Sequence, residues 1–373
     1  ALSMPGRDDV AGFVRAFAGS NRYVLDYLTE EVLGRQPSPV QSFLLETAIL
    51  ERLTGPLCDA LTGRDDGAST LARLEQANLF LVPLDDQRQW YRYHRLFADL
   101  LRARLEAAQP ERVPALHRRA SAWHEGQGIL DAAVSHAVAA ADWPRVETLL
   151  ETHGLAMLMR GELATLLRWL SVLPEARVND SARLSVLYAW VLLLTGQMAA
   201  VEPRLARAEQ LLADGAASEK ADALSGESAA IRAYAAVRMG DVARTVALAQ
   251  QALALLGTQQ PGVRGVVLFV LGGAYLLRGD FTASGEAMAQ AAQVAQQGGN
   301  IHLAVPALNA LAGIHAWHGR LGQARAIAQR AIRLATGPSG RLSPVAGGAV
   351  SALAELAYEA NDLAAALDYA RQS

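Results

Sequence analysis

The sequence predicts a mainly α protein: a winged-helix-like unit with one short β-hairpin, followed by a superhelical stack of helix pairs. Three observations carry this. The 373 residues are 51% hydrophobic but only 6% aromatic, and their Ala- and Leu-rich mix favours helix over sheet. Strand-like alternation is confined to residues 78–93. Beyond residue 106 only helical periodicity remains. Short turns recur there at Gly196, Gly240-Asp241, Gly279-Asp280, Gly319-Arg320 and Asn361-Asp362, spaced by 44, 39, 40 and 42 residues. Regular self-similarity at this period marks an α-solenoid.

The elements follow in order. Residues 8–33 read as helical, with Leu25, Leu28, Val32 and Leu33 forming an i, i+3, i+4 stripe. Pro37 and Pro39 break the chain. A second helix shows an apolar face of Phe43, Leu44, Ala48, Ile49 and Leu50; a short one starts over Leu57 to Leu61, and another covers about 68–77. Asn78 to Leu84 and Gln89 to Tyr93 alternate around an Asp85-Asp86-Gln87-Arg88 turn, the pattern of a hairpin. His94 opens a helix with Leu96, Phe97, Leu100 and Leu101 on one face. The domain reading is therefore a helical segment over 1–37, a winged-helix-like domain over 38–105, a helical connector over 106–183 that begins the superhelix, and the superhelix over 184–373.

The repeats fit the tetratricopeptide (TPR) register. With each turn residue at position 15, position 8 reads Ala189, Ala233, Gly272, Ala312 and Ala354. Position 27 reads Ala208, Ala252, Ala291 and Ala331; position 20 reads Val201, Thr245, Ser284, Ala324 and Ala366. Small side chains are needed where paired helices cross closely. The last helix, Leu363 to Ser373, shows no polar capping face, so the superhelix is expected to continue beyond it.

Composition excludes several function classes. One cysteine, Cys58, rules out a disulfide scaffold and an all-Cys metal site, and it fits a reducing cytosol. No apolar run reaches the ~18 residues of a membrane span. The only lysine, Lys220, has no Gly-rich loop before it, so no phosphate-loop motif is present. Residues 39–105 contain 8 Arg against 9 acids, a poor balance for DNA, whose affinity rests on phosphate neutralisation. No nucleophile–base motif is present, which argues against an enzyme. His315 and His318 are three apart on one helix with His302 nearby, but no carboxylate accompanies them at ligand spacing.

Four stretches together resemble a known family: Gly19-Ser20-Asn21-Arg22-Tyr23-Val24-Leu25-Asp26-Tyr27-Leu28; Phe43 to Thr47 with Leu50 to Gly63; Tyr91-Arg92-Tyr93-His94-Arg95-Leu96-Phe97; and Leu116-His117-Arg118-Arg119-Ala120-Ser121-Ala122-Trp123. They resemble the MalT-like regulators, large ATP-binding members of the LuxR-type transcription factors. The resemblance implies a sensor superhelix whose inducer biases a nucleotide switch, with self-association and ATP or ADP in the full-length protein only. This chain has neither the phosphate loop nor an evident DNA-binding module, so it is expected to work without its own cofactor and without contacting nucleic acid or membrane, in the cytoplasm. The resemblance also implies that His94 senses the β-phosphate of ADP, for which an imidazole N–H is a suitable donor.

In such repeats the first helix of each pair lines the inner wall, at positions 5, 9, 12 and 13. These positions supply Tyr234, Arg238, Phe269, Asn309, Trp317, Ser351, Glu355 and Tyr358. Aromatic plates with hydrogen-bonding groups suit a small polar ligand, a sugar or a peptide. The expected partner is thus a small-molecule inducer or a regulatory protein. The rival reading is a scaffold whose groove takes a peptide or partner helix.

Overall fold

The computed structural model describes residues 32–214, 218–257, 260–337 and 340–373. Nearly all of the helix expected over 8–33 lies outside them. The chain forms two compact units, 1–149 and 150–373, with 19 α-helices and one two-stranded sheet among the described residues.

In the first unit, Pro39 sits in the first turn of α1 (Ser38–Thr47), where its fixed φ suits a helix start. The Thr54 hydroxyl caps α2 (Gly55–Thr62) by accepting the Leu57 N–H at 3.3 Å. Helix α3 (Gly67–Gln76) approaches α2 through glycine: a Cβ on Gly55 would fall 2.7 Å from that of Ala68, and one on Gly67 would fall 2.6 Å from the Gly55 carbonyl oxygen. Strands β1 (Leu81–Pro83) and β2 (Tyr91–Tyr93) pair antiparallel, Leu81 opposite Tyr93. Leu53 adds an isolated bridge by exchanging both backbone bonds with Tyr91, at 2.8 and 2.9 Å.

The strands are shorter than the alternation predicts. Asn78 and Phe80 take left-handed backbone, φ 53° and 52°, which ends any extended run. At the other end the Asp85 carboxylate accepts from the Gln89 and Trp90 N–H groups at 2.8 and 3.1 Å and folds the turn. Helix α4 (Arg95–Ala108) buries Phe97, Ala98, Leu101 and Leu105, so the buried stripe lies one position off the expected one. These side chains form one core with Phe43, Leu44, Leu53, Leu57, Leu61 and Leu71.

That core reaches further than 105. Helices α5 (Val113–Gly126) and α6 (Leu130–Ala139) form a hairpin, and Leu116 and Ala120 of α5 are buried in the same core. Arg119 ties the hairpin down by donating to the Leu61 carbonyl at 2.6 Å. The segment read as the start of a connector therefore falls in the first unit as far as residue 149. Three histidines meet in the hairpin. His117 and His136 place their Nδ1 atoms 2.8 Å apart, and His124 stacks on His136 at 5.3 Å. Such a contact needs one N–H and one lone pair, so the two rings cannot both be charged. Burial, then the neighbouring His117 and His124, push the His136 pKa down to about 4.

The second unit is a solenoid. Helix α7 (Trp143–Met159) contains the boundary between the units, and α8 (Leu163–Val172) and the short α9 (Glu175–Asn179) lead in. Five pairs follow: α10 (Ala182–Leu194) with α11 (Val201–Ala213), α12 (Glu219–Arg238) with α13 (Val242–Leu255), α14 (Pro261–Leu277) with α15 (Phe281–Gln297), α16 (Ile301–Trp317) with α17 (Leu321–Ala335), and α18 (Gly347–Glu359) with α19 (Leu363–Gln372). Every repeat turn has a left-handed residue: Gly196, Gly240, Gly279 and Gly319 at φ 72° to 81°, and Asn361 at φ 58°. Asp241, Asp280 and Asp362 then cap the second helices through their side chains.

Burial follows the register in the first four pairs; in the fifth, Ala354 and Ala366 are only half-buried. Ala189, Ala233 and Ala312 at position 8, and Ala208, Ala252, Ala291 and Ala331 at position 27, are at most 1% exposed. At Gly272 the crossing is tight enough that a Cβ would lie 3.0 Å from Met288, and Ser284 of the facing helix donates to the Gly272 carbonyl at 2.8 Å.

Two outcomes follow. Ala252→Leu overpacks a fully buried crossing and costs about 1–3 kcal/mol, while Ala364→Leu on an exposed face stays within about 0.5 kcal/mol; urea unfolding of both checks this. For His136, the folded pKa lies below the ordinary 6.5, so its stabilising share is complete above pH 6.5 and is lost as pH falls towards 4. Unfolding followed by pH should show that slope in the native chain and a flatter one in His136→Asn.

Candidate functional site

The inner helices of the first four repeats converge on a cavity of about 310 Å³. Trp190 and Leu194 come from α10, Tyr234 from α12, Val266 and Phe269 from α14, and His302, Leu303 and Pro306 from α16. The C-terminal end of α7 closes it. Met159 lies against Gly262, where a Cβ would sit 3.2 Å from its sulfur, and Asn300 Nδ2 donates to that sulfur at 3.9 Å. Gly161, at φ 78°, turns the chain beside the His302 ring.

Of the expected inner-wall residues, Tyr234 and Phe269 meet here. Trp317, Glu355 and Tyr358 meet instead in a second, larger groove of about 810 Å³ further along the stack. There Trp317 and Tyr358 are 67% and 66% exposed, beside Leu363 and Leu367. Arg238 and Asn309 line neither. Arg238 is exposed in the last turn of α12, and Asn309 is pressed against Gly348, with its Oδ1 buried and unpartnered. Ser351 shares a hydrogen bond with Ser373 at 2.7 Å.

His94, in the first unit, is exposed at the start of α4. Its backbone N–H donates to the Phe80 carbonyl at 2.7 Å, and its ring lies edge-on to Phe80. His318 Nδ1 lies 2.8 Å from the Ile314 carbonyl oxygen. Among the described residues no group of three His, Cys, Asp or Glu is placed to hold a metal ion, and no helix is long and apolar enough to cross a membrane.

Trp190, Leu194, Met159, His302 and Pro306 were not singled out from the sequence. Trp190 and Leu194 occupy positions 9 and 13 of the first repeat, so the register held the signal for them. At position 9 of the third and fourth repeats stand Gly273 and Gly313, where an added Cβ would meet nothing; there the inner wall is left open. The small cavity's walls are apolar and carry no Asp, Glu, Lys or Arg. This is a different chemistry from the polar groove expected.

Behind Trp190 lies a buried ion pair. Glu227 is 0% exposed and accepts from Arg183 Nη1 at 2.6 Å. Burial pushes the Glu227 carboxyl up, opposed by Arg183. Trp190 and Gln260 approach the same carboxylate and favour its charge, but outside hydrogen-bond geometry, so Oε2 has no partner.

Comparison with known proteins agrees with these features. The MalT winged helix domain matches residues 29–113, and the MalT-like TPR region matches residues 226–373. The serine/threonine-protein kinase PknK of Mycobacterium tuberculosis is 35% identical over 266 residues, covering 71% of this chain and 24% of that protein. The HTH-type transcriptional regulators MalT of Cronobacter sakazakii and Klebsiella pneumoniae are 33% and 32% identical over 284 residues, covering 76% of this chain and 31% of each. The chain thus spans about a quarter to a third of the curated relatives it matches. A signal transduction ATPase with numerous domains and a tetratricopeptide repeat sensor, from Pyrococcus horikoshii, aligns over 92% of this chain and 64% of its own at 13% identity and a TM-score of 0.39. The chain is MalT-like: it carries the winged helix and the TPR region of these regulators.

Truncating Arg183 to Met should cost about 3–5 kcal/mol by leaving a buried carboxylate unpaired, and Glu227→Gln in the same background should recover part of it. Chemical denaturation of the single and double variants measures both.

Proposed function

We propose that this chain is the regulatory, ligand-sensing portion of a MalT-like ATP-dependent transcriptional activator, working in the cytoplasm and without catalysis of its own. The observation that carries the reading is the small cavity. Its walls come from four successive repeats and from the end of α7, so an occupant touches residues from Leu158 to Pro306 at once. A ligand that fits one curvature of the stack better than another shifts the population towards it. Because α7 also holds the boundary between the two units, displacement of Met159 acts on a helix that both units share.

The relatives support a sensor over an output role. One is named as a kinase and others as transcriptional regulators, so the region they share with this chain is compatible with different outputs. In the intact protein, His94 would contact the β-phosphate of ADP; its exposed ring on the first unit is accessible for this. Self-association would belong to the full-length, nucleotide-bound form.

One observation favours a second reading. The larger groove sets exposed Trp317 and Tyr358 beside the carboxylates of Glu355 and Glu359, a surface that suits a basic peptide or partner helix.

A metabolite screen by thermal shift on the 373-residue chain distinguishes them. A ligand at a hundred times its Kd adds about 2.7 kcal/mol, worth roughly 5–10 °C in Tm. Leu194→Trp, which fills the cavity, should remove that shift. A chain that responds to no metabolite, yet loses a bound partner protein on Glu355→Ala and Trp317→Ala, is a scaffold.

A further inference from the structure

The small cavity carries an inference about the class of its ligand, and it rests on the sensor reading above. We propose that the cavity takes a small, uncharged aromatic molecule bearing one hydrogen-bond donor, of the indole or phenol class, and that the backbone carbonyl of His302 receives the donor.

Size and wall chemistry set the body of the ligand. The volume of about 310 Å³ lies at the small end of ligand pockets and equals that of about ten waters, room for one bicyclic ring system. Trp190, Tyr234 and Phe269 supply aromatic surface from three different helices, and Leu, Val and Met side chains complete the walls. None of the thirteen lining residues is Asp, Glu, Lys or Arg. A charged ligand would meet no counter-charge here. A polyhydroxylated one would find few polar partners among these walls.

The backbone sets the polar handle. Pro306 lies inside α16. In an α-helix the N–H of residue 306 would bond the carbonyl of residue 302, but proline has none to give. His302 and Pro306 both line the cavity. At this wall, then, the His302 carbonyl is deprived of its helical donor. Asn300 is engaged: its Oδ1 accepts the Leu303 N–H at 3.1 Å and its Nδ2 faces the Met159 sulfur, while the Trp190 N–H is turned towards Glu227 without a hydrogen bond. A ligand with one N–H or O–H matches that carbonyl.

Titration calorimetry of the 373-residue chain with indole, 1-methylindole, glucose and arginine tests this. Indole should bind. 1-Methylindole, which keeps the ring and lacks the donor, should bind about tenfold more weakly, the difference one hydrogen bond makes. Pro306→Ala restores the helical N–H without threatening the fold; it should lower indole affinity to that of 1-methylindole and leave the latter unchanged. Equal affinities of the two indoles for the native chain would overturn the role of the carbonyl. Binding of glucose or arginine with neither indole would overturn the ligand class and leave the sensor reading standing. If neither these four compounds nor any metabolite of the wider screen binds, both readings fall.

Discussion

Close approach of paired helices at side chains no larger than a methyl group is the constraint on which the solenoid depends. Ala233, fully buried, and Gly272, packed against Met288, let the two helices of a repeat lie side by side. Only then can the first helices of successive repeats face one another and present positions 9 and 13 to a shared interior. A larger residue at a crossing would do more than strain one contact. In a one-dimensional stack each repeat's orientation is fixed by its neighbours, so the tilt would pass along the array. The glycines at position 9 add a second consequence. Where Trp190 and Tyr234 fill the wall in the first two repeats, Gly273 and Gly313 withdraw from it, and the free volume between repeats follows from that change of size.

The first unit obeys the same rule on a smaller scale. Gly55 and Gly67 permit a helix contact that no Cβ would allow. The core is then closed by aromatic side chains rather than by small ones: Tyr93 meets Phe97 edge-to-face at 6.0 Å, and its hydroxyl shares a hydrogen bond with Thr47 at 2.7 Å. Cys58 is wholly buried beside them, and burial pushes its thiol up, so it behaves as a core residue.

What could be read from the sequence was whatever has a local steric cause. The repeat register was legible because a left-handed turn residue and a small crossing residue recur at fixed separations, and both needs are met within one repeat. The hairpin was legible in place but not in length: asparagine tolerates left-handed backbone, but nothing in Phe80 announces it. The extent of the first core was not legible, because helical periodicity shows that Leu116 and Ala120 are inward-facing without saying into which core. The cavity was legible only in part. Tyr234 and Phe269 lie on the inner face by register, but Met159 closes the space against Asn300, 141 positions away, and no local pattern encodes that meeting. Arg238 satisfied the register and is still exposed.

The buried ion pair next to the cavity bears on how such a stack could respond to an occupant. Glu227 lies on α12 and Arg183 on α10, so their bond joins the first two repeats across the interior. A hydrophobic pair of similar volume would hold those helices at least as firmly, and would tolerate sliding. An ion pair does not: a shift of an ångström leaves a carboxylate in a dry site with its second oxygen already unpartnered. The pair therefore favours a few discrete packings over a continuum. Trp190 is in contact with both systems, its ring on the cavity and its N–H towards Glu227. A ligand that moves this indole changes the surroundings of the charge, and the interface between repeats has to settle into one packing or another. Bistability of that kind is what converts a small displacement in a binding cavity into a change of state.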